Sequence, residues 1–209
     1  RGERGSISDP ALVPDGDLGR VRVRELRDAA AVLGIAEVTI LDHPDGDLRW
    51  AHVPALHQEI VMMVERTRPD AVITFAEDGL YWHLDHIGVH ERTYTAIKSL
   101  GPSAPPLSYV TMPAGAMRRV VEAEHRKGGA PPGSSFWGIA PDTFGDHSKP
   151  ASFAIDVRPW AARKLAALLC HKTQMGPHNP ISWIDEADAR ECLGLELYRR
   201  SPLESNGAE

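Results

Sequence analysis

The sequence predicts an α/β fold, Rossmann-like, with a mostly parallel sheet and helices on both faces. Apolar periodicity along the first half of the chain gives the order helix, strand, helix, strand, helix, which is typical of parallel βαβ units. With 209 residues, of which 42% are hydrophobic, the chain suits one globular domain with a sizeable core. A polar cluster follows one predicted strand, at the end where open α/β sheets carry their sites.

Amphipathic periodicity predicts the helices. In residues 20–34, Val23, Leu26 and Ala30 recur on one face, and Gly34 is suited to end the helix. On the same grounds, further helices are predicted at 53–66, from the histidine-rich run to 100, at 118–125, at 159–170 and at 184–192.

Short apolar runs predict the strands. Residues 71–75 indicate a buried strand and 195–199 an edge strand, and the others are predicted at 37–41, 107–112 and 151–157. Residues 127–150, rich in Gly and Pro, form either a substrate-side lid or a variable insertion. The tail after Ser201 lacks a core pattern and is expected to be loose.

Composition excludes several classes of protein. The net charge is −6, from 23 Lys and Arg against 29 Asp and Glu, without a basic block, so nucleic acid is not an expected partner. No apolar run approaches the roughly 18 residues of a membrane span. Two cysteines suit a reducing cytoplasm rather than a disulfide framework. Neither G-x-G-x-x-G nor G-x-x-x-x-G-K is present, which argues against nicotinamide and P-loop sites.

Residues 74–90 carry the densest chemistry in the chain. An apolar strand and a turn at 78–79 precede His83, Asp85 and His86, where a helix is predicted to begin. Histidines three residues apart on a helix share a face, and imidazole is the commonest side-chain metal ligand. The stretch therefore predicts half of a metal-assisted hydrolase site. The alternative is a chance H-x-x-H among ten histidines, extended by His90 into a solvated helix face.

This stretch resembles the second signature of the LmbE/PIG-L-like zinc N-deacetylases, which remove acetyl groups from amino sugars. Residues 78–86 read D-G-L-Y-W-H-L-D-H, with Leu84 where the family usually has Pro. Residues 1–5, R-G-E-R-G, resemble the loop after the family's second strand. The resemblance runs through most of the chain and implies a Rossmann-like fold and a Zn²⁺ cofactor.

The resemblance also implies roles for the signature residues. His86 would be a zinc ligand, and His83 would stabilise the oxyanion or protonate the leaving amine. Asp85 would orient an imidazole, and Tyr81 would donate its hydroxyl to the transition state. The family's first signature, A-H-P-D-D-E, is expected upstream of Arg1, with the other two ligands and the general base. Because catalytic zinc sites use three protein ligands, one histidine is expected to hold zinc poorly.

Two further residues are nominated for substrate binding. By resemblance Arg22 would contact the sugar, although a solvated arginine on a polar helix face is an equal alternative. Asp45, in a P-D-G run, would accept from sugar hydroxyls, against the alternative of an ordinary turn. Residues 171–174, H-K-T-Q, match a family motif near the mouth of the active site, and the alternative is a structural histidine at a helix end.

The expected function is hydrolysis of an N-acetyl group on a small-molecule amino sugar or sugar conjugate. Two alternatives are open: an inactive sugar-binding or interaction protein on the same scaffold, and an amidase of a thiol-sugar conjugate. Homo-oligomerisation is also left open.

Overall fold

The structure, a computed structural model, describes residues 1–50, 53–129, 136 and 138–203. Contacts divide the chain into two compact units. The first unit comprises Arg1–Asp45, Ala114–Phe144 and Ile155–Leu195, and the second comprises Gly46–Pro113, Gly145–Ala154 and Glu196–Glu209. Organisation as one domain stays a prediction.

The predicted helices are confirmed, with ends that agree to within about two residues. The α-helices of the described chain are α1 (Leu18–Leu33), α2 (Val53–Thr67), α3 (Gly79–Trp82), α4 (Leu84–Ser99), α5 (Ala116–Arg126), α6 (Ala161–Leu169) and α7 (Glu186–Cys192). The strands are β1 (Val72–Phe75), β2 (Leu107–Thr111), β3 (Phe153–Asp156) and β4 (Leu195–Arg200). No helix of the described residues is long and apolar enough to cross a membrane.

The first unit is mainly helical. Asp17 caps α1 by accepting a hydrogen bond from the Arg20 backbone N–H, and Gly34 ends the helix with a left-handed φ of 76°. Leu18 and Val21 of α1 are buried against Val13 of the preceding loop. Helix α1 packs on α6, and α7 packs on both α5 and α6.

The sheet has the strand order β1-β2-β4-β3. Strands β1 and β2 are parallel and joined through α4, which completes the predicted βαβ unit. Strand β4 pairs antiparallel with β2, so the sheet is mixed. The α/β class is thus confirmed. In the second unit Ile97 of α4 packs with Leu107 and Tyr109 of β2, and α2 packs on α4.

Three expectations about the strands are wrong. Residues 37–41 form no strand, because their backbone joins none of the sheet strands in the described chain. Strand β1 lies at an edge rather than buried, and its Ile73 is 58% exposed. Strand β4 lies between β2 and β3 instead of at an edge. Beyond it, Leu203 packs on the Ile97 cluster. Residues 204–209 lie outside the described part, so the looseness of the tail stays a prediction.

The stretch at 127–150 is irregular, as predicted, although residues 130–135 and 137 lie outside the described part. Phe136 and Phe144 are buried and contact each other edge to face, with ring centroids 5.5 Å apart. The choice between lid and insertion stays open.

Candidate active site

The site is built on the turn that leads from β1 into α4. The Asp78 carboxylate caps this turn by accepting from the Leu80 N–H at 3.2 Å. Gly79, Leu80 and Trp82 have positive φ values of 56°, 73° and 66°. Only Gly79 adopts such a backbone at no steric cost, so the two bulky residues are strained. Backbone strain of this kind concentrates at functional sites.

His86 lies in the first turn of α4 and contacts the preceding strand and turn. Its Nδ1 atom is 3.0 Å from the Gly79 carbonyl oxygen, and its ring stacks on Phe75 with centroids 3.9 Å apart. A carbonyl can only accept, so in the neutral ring Nδ1 carries the proton and Nε2 keeps its lone pair. Burial lowers the pKa of His86, against the opposing effects of Gly79 and Asp85, and so favours this neutral form.

Two further side chains surround the His86 ring. The centroid of His83 lies 4.6 Å from that of His86, and the centroid of Tyr81 lies 5.3 Å from it, edge on. His83 is exposed, whereas Tyr81 is half-buried. Burial raises the pKa of Tyr81, so its hydroxyl stays protonated near neutral pH and can donate a hydrogen bond. The structure therefore brings together three of the residues predicted for catalysis and metal binding.

Asp85 contacts the backbone at the start of the second unit. It is 5% exposed, and its two oxygens accept from the Gly46 N–H at 2.8 Å and the Leu48 N–H at 3.1 Å. A Cβ built on Gly88, one helical turn later, would lie 2.7 Å from the Arg49 nitrogen. The first turns of α4 thus hold residues 46–49 by hydrogen bonds and close packing. The imidazole-orienting role of Asp85 stays a prediction.

His90 is buried, so the alternative in which it extends a solvated helix face is wrong. Its Nδ1 atom lies 2.9 Å from the Phe75 carbonyl oxygen, and its ring contacts Tyr94 and Tyr109. These contacts indicate a structural histidine that ties α4 to β1 and β2.

The donors of the described residues do not complete a metal site. No group of three His, Cys, Asp or Glu side chains in the described ranges could hold an ion. His86 offers the lone pair of Nε2, whereas both oxygens of Asp85 accept from backbone N–H groups. These residues supply one ligand and fall short of the three that catalytic zinc requires.

Arg22, in the first unit, is partly buried rather than solvated, so that alternative is wrong. Its guanidinium donates to the carbonyls of Gly2 and Ser6, the latter at 2.8 Å, and Nε lies 3.4 Å from the Thr173 hydroxyl. Burial lowers the pKa of Arg22, and nearby carboxylates, Asp45 first among them, raise it. The side chain therefore organises the R-G-E-R-G loop, and its role in substrate binding stays a prediction.

Asp45 is bound to the same loop. Its carboxylate accepts from the Arg4 N–H at 3.0 Å, and its own N–H donates to the Glu3 carboxylate at 2.9 Å. This N–H is the largest influence on Glu3 and holds its pKa at about 2. Asp45 is thus more than a solvated turn residue, while its predicted contact with a sugar stays a prediction.

The sequence did not single out a buried pair in the first unit. Glu25 accepts from both the backbone N–H and the hydroxyl of Thr173 at 2.7 Å, and Thr173 is fully buried. Two sequence patterns could have indicated this pair, the R-x-x-E spacing in α1 and the H-K-T-Q motif. The structure explains both patterns, since Thr173 of the motif contacts Arg22 and Glu25 of α1.

One cavity in the described chain is a further candidate for a binding site. Its volume is about 570 Å³, and none of the predicted site residues lines it. The lining residues are Val64, Glu65, Arg68, Pro69, Leu100, Ser103 and Pro105. The clustered rings and strained turn are stronger evidence for a reactive site than this cavity.

Comparison with known proteins finds one family and several similar relatives. Residues 1–97 match the family described as "PIG-L: GlcNAc-PI de-N-acetylase". Three similar relatives each carry the name 1D-myo-inositol 2-acetamido-2-deoxy-alpha-D-glucopyranoside deacetylase. The relative from Thermobispora bispora is 28% identical, over 94% of this chain and 74% of its own. The relative from Geodermatophilus obscurus is 28% identical, over 95% of this chain and 78% of its own. The relative from a Nocardioides species is 26% identical, over 100% of this chain and 84% of its own.

Proposed function

We propose, on the premise that this chain belongs to the PIG-L family, that it hydrolyses the acetamido group of an N-acetylglucosamine conjugate. The observation that carries the proposal is the convergence of Tyr81, His83 and His86 on the strained turn after β1. An amino sugar joined to inositol is the substrate class we favour, because the relatives are named for such a compound.

The clustered side chains suit two tasks in amide hydrolysis, which are stabilising the oxyanion and protonating the leaving amine. Attack of water on the acetyl carbonyl, with transfer of a water proton to a general base, generates an oxyanion, and the protonated Tyr81 hydroxyl would donate a hydrogen bond to it. His83, which is exposed beside the Tyr81 ring, would stabilise that oxyanion or give a proton to the departing amine. Asp85 would support both by fixing the first turn of α4 against residues 46–48.

Zinc dependence is part of the proposal. The Nε2 atom of His86 would be one ligand, because the Gly79 carbonyl keeps the proton on Nδ1. Bound zinc generally supplies an activated water and polarises a carbonyl. The donors of the described residues do not complete the set of zinc ligands.

Arg22 and Asp45 of the first unit are also proposed to contact the substrate. Both side chains hydrogen-bond the backbone of the loop at residues 2–6. A cytoplasmic location is also proposed, which the free thiols of Cys170 and Cys192 suit.

The test is acetate release from N-acetylglucosaminyl-inositol by this chain, with added Zn²⁺ and with chelator. Acetate release by the unaltered protein and at least a hundredfold loss in His86→Ala are expected. His178→Ala, at an exposed histidine of the first unit, is the matched control and should keep full activity. Equal acetate release by His86→Ala and the unaltered chain would refute the proposal. A thiol-sugar substrate cleaved at another amide, without acetate, would favour the amidase alternative.

A further inference from the structure

Trp82 is an unusual residue to find in the candidate site. Its φ is 66°, in the left-handed region that favours glycine, and its side chain is 65% exposed. Within the described ranges, no hydrogen bond or ring contact involves its indole. The residue therefore strains the backbone without the compensation of burial.

The main chain holds Trp82 firmly despite this exposure. Its N–H donates to the Asp78 carbonyl at 2.6 Å, and the neighbouring Leu80 carbonyl accepts from the Gly145 N–H, also at 2.6 Å. The indole thus stands on a fixed turn, and a planar ring of this kind can contact a ligand with little loss of conformational entropy.

The position of Trp82 in the turn relates it to the reacting groups. It lies between Tyr81 and His83 in the chain, and their ring centroids are 5.7 Å apart. Leu84, on the other side of His83, is 47% exposed. Exposed apolar side chains therefore lie next in the chain to Tyr81 and His83, which are proposed to act on the acetamido group.

We propose that Trp82 is a specificity-determining residue whose indole packs on the apolar C–H face of the sugar ring that bears the acetamido group. The inference rests on the proposed function and adds to it a contact with the ring beside the scissile amide. A pyranose has hydroxyls around its rim and C–H bonds on its faces, which suits an exposed aromatic plane. A bilayer is a poorer match, because the chain has a net charge of −6 and anionic membranes attract cationic surfaces.

The test combines kinetics with ¹⁹F NMR of the full chain labelled with 5-fluorotryptophan. The ¹⁹F resonance that is missing from the spectrum of Trp82→Phe is assigned to Trp82. N-acetylglucosaminyl-inositol should shift that resonance saturably. In unlabelled protein, Trp82→Gly should raise KM about tenfold with kcat changed less than about twofold, whereas Trp82→Phe should stay near the unaltered value. Trp82→Gly should melt no lower than the unaltered chain, because glycine tolerates this φ.

Trp160→Gly is the matched control, since Trp160 is also exposed, at 53%, but is neither one of the proposed site residues nor next to one in the chain. Its substitution should leave KM unchanged.

The outcomes separate this inference from the proposed function. A saturable shift of Trp82 without acetate release would support the contact and refute the hydrolysis. Acetate release with no Trp82 shift and an unchanged KM in Trp82→Gly would refute the contact and leave the hydrolysis standing. No shift at saturating sugar would also refute the contact, as would a shift with phosphatidylinositol vesicles alone.

Discussion

The Nδ1 atom of His86 and the carbonyl oxygen of Gly79 lie 3.0 Å apart, seven residues along the chain. Gly79 can present this carbonyl because its φ is 56°. The contact selects the imidazole tautomer with its proton on Nδ1 and leaves Nε2 as an acceptor or ligand. A backbone group, rather than a carboxylate, therefore sets the chemistry of His86.

Gly79→Ala should break this relationship. The new Cβ would lie 3.0 Å from the Cβ of His86 and the same distance from the Ile87 nitrogen, so the start of α4 must shift. Long-range ¹H–¹⁵N spectra of the unaltered chain should show His86 protonated on Nδ1, and this signal should be lost in the variant. Activity should fall at least tenfold.

Gly101→Ala is the matched control, because Gly101 has a nearly identical φ of 54° with nothing within 4 Å of the new Cβ. It should cost about 1–2 kcal/mol of backbone strain and leave the His86 tautomer unchanged. An unaltered His86 signal in Gly79→Ala would show that the carbonyl does not set the tautomer.

Asp85→Asn should loosen residues 46–48. The amide keeps the shape of the carboxylate but directs an NH₂ group at one of two backbone N–H donors, Gly46 or Leu48. An unpaired buried N–H costs about 1–3 kcal/mol, so unfolding free energy should drop by about that amount. Hydrogen exchange at both amides should accelerate. Asp70→Asn, at an exposed acid of the second unit, should change neither quantity, and unchanged exchange in Asp85→Asn would contradict the assignment.

Local patterns predicted the helices and the centre of the site. Helix α1 follows from apolar spacing, with a Gly at its end, all within one short window. Tyr81, His83 and His86 converge for the same reason, because a turn and the first turn of a helix fix their spacing.

The wrong strand predictions depend on pairing between residues that are distant in sequence. Whether a run such as 37–41 forms a strand, or β4 lies inside the sheet, depends on neighbours distant in sequence. The partners of Asp85 lie up to 39 residues away, and Thr173 lies 151 residues from Arg22, so neither contact has a local signature. The strain at Trp82 was likewise invisible, since a tryptophan carries no preference for positive φ.

Gly5→Ala should disturb the loop that Arg22 holds. A Cβ at this position would overlap the Nη1 atom of Arg22, which donates to the Gly2 carbonyl. We expect destabilisation by about 1–3 kcal/mol, measured by urea unfolding, because the guanidinium must move or lose its partners.

A double-mutant cycle provides the control for Gly5→Ala. In an Arg22→Ala background the overlap is gone, so the same substitution should cost less than about 0.5 kcal/mol. Equal costs in both backgrounds would mean that the loop does not depend on Arg22.

Glu77 should make the stability of the second unit depend on pH. Arg199 donates to its carboxylate from two nitrogens, one at 3.3 Å, and Lys149 lies 3.3 Å from the same oxygen. Burial alone would raise the pKa of Glu77, but the hydrogen bond from Arg199 and the two positive charges outweigh it. They lower the pKa from an ordinary 4.5 to about 2.

Because the folded pKa is the lower one, the stabilisation is complete above pH 4.5 and is lost as the pH falls towards 2. Glu77 is about half exposed, so solvent screening limits the effect to about 1 kcal/mol. The free energy of unfolding of Glu77→Gln should therefore lie about that far below the value for the unaltered chain at pH 7. This difference should shrink as the pH falls from 4.5 towards 2. Glu65→Gln, at an exposed carboxylate of α2, is the control, and its free energy of unfolding at pH 7 should stay within about 0.5 kcal/mol of the unaltered chain. A difference that stays constant from pH 7 to 2.5 would mean that the ion pairs with Arg199 and Lys149 do not form in solution.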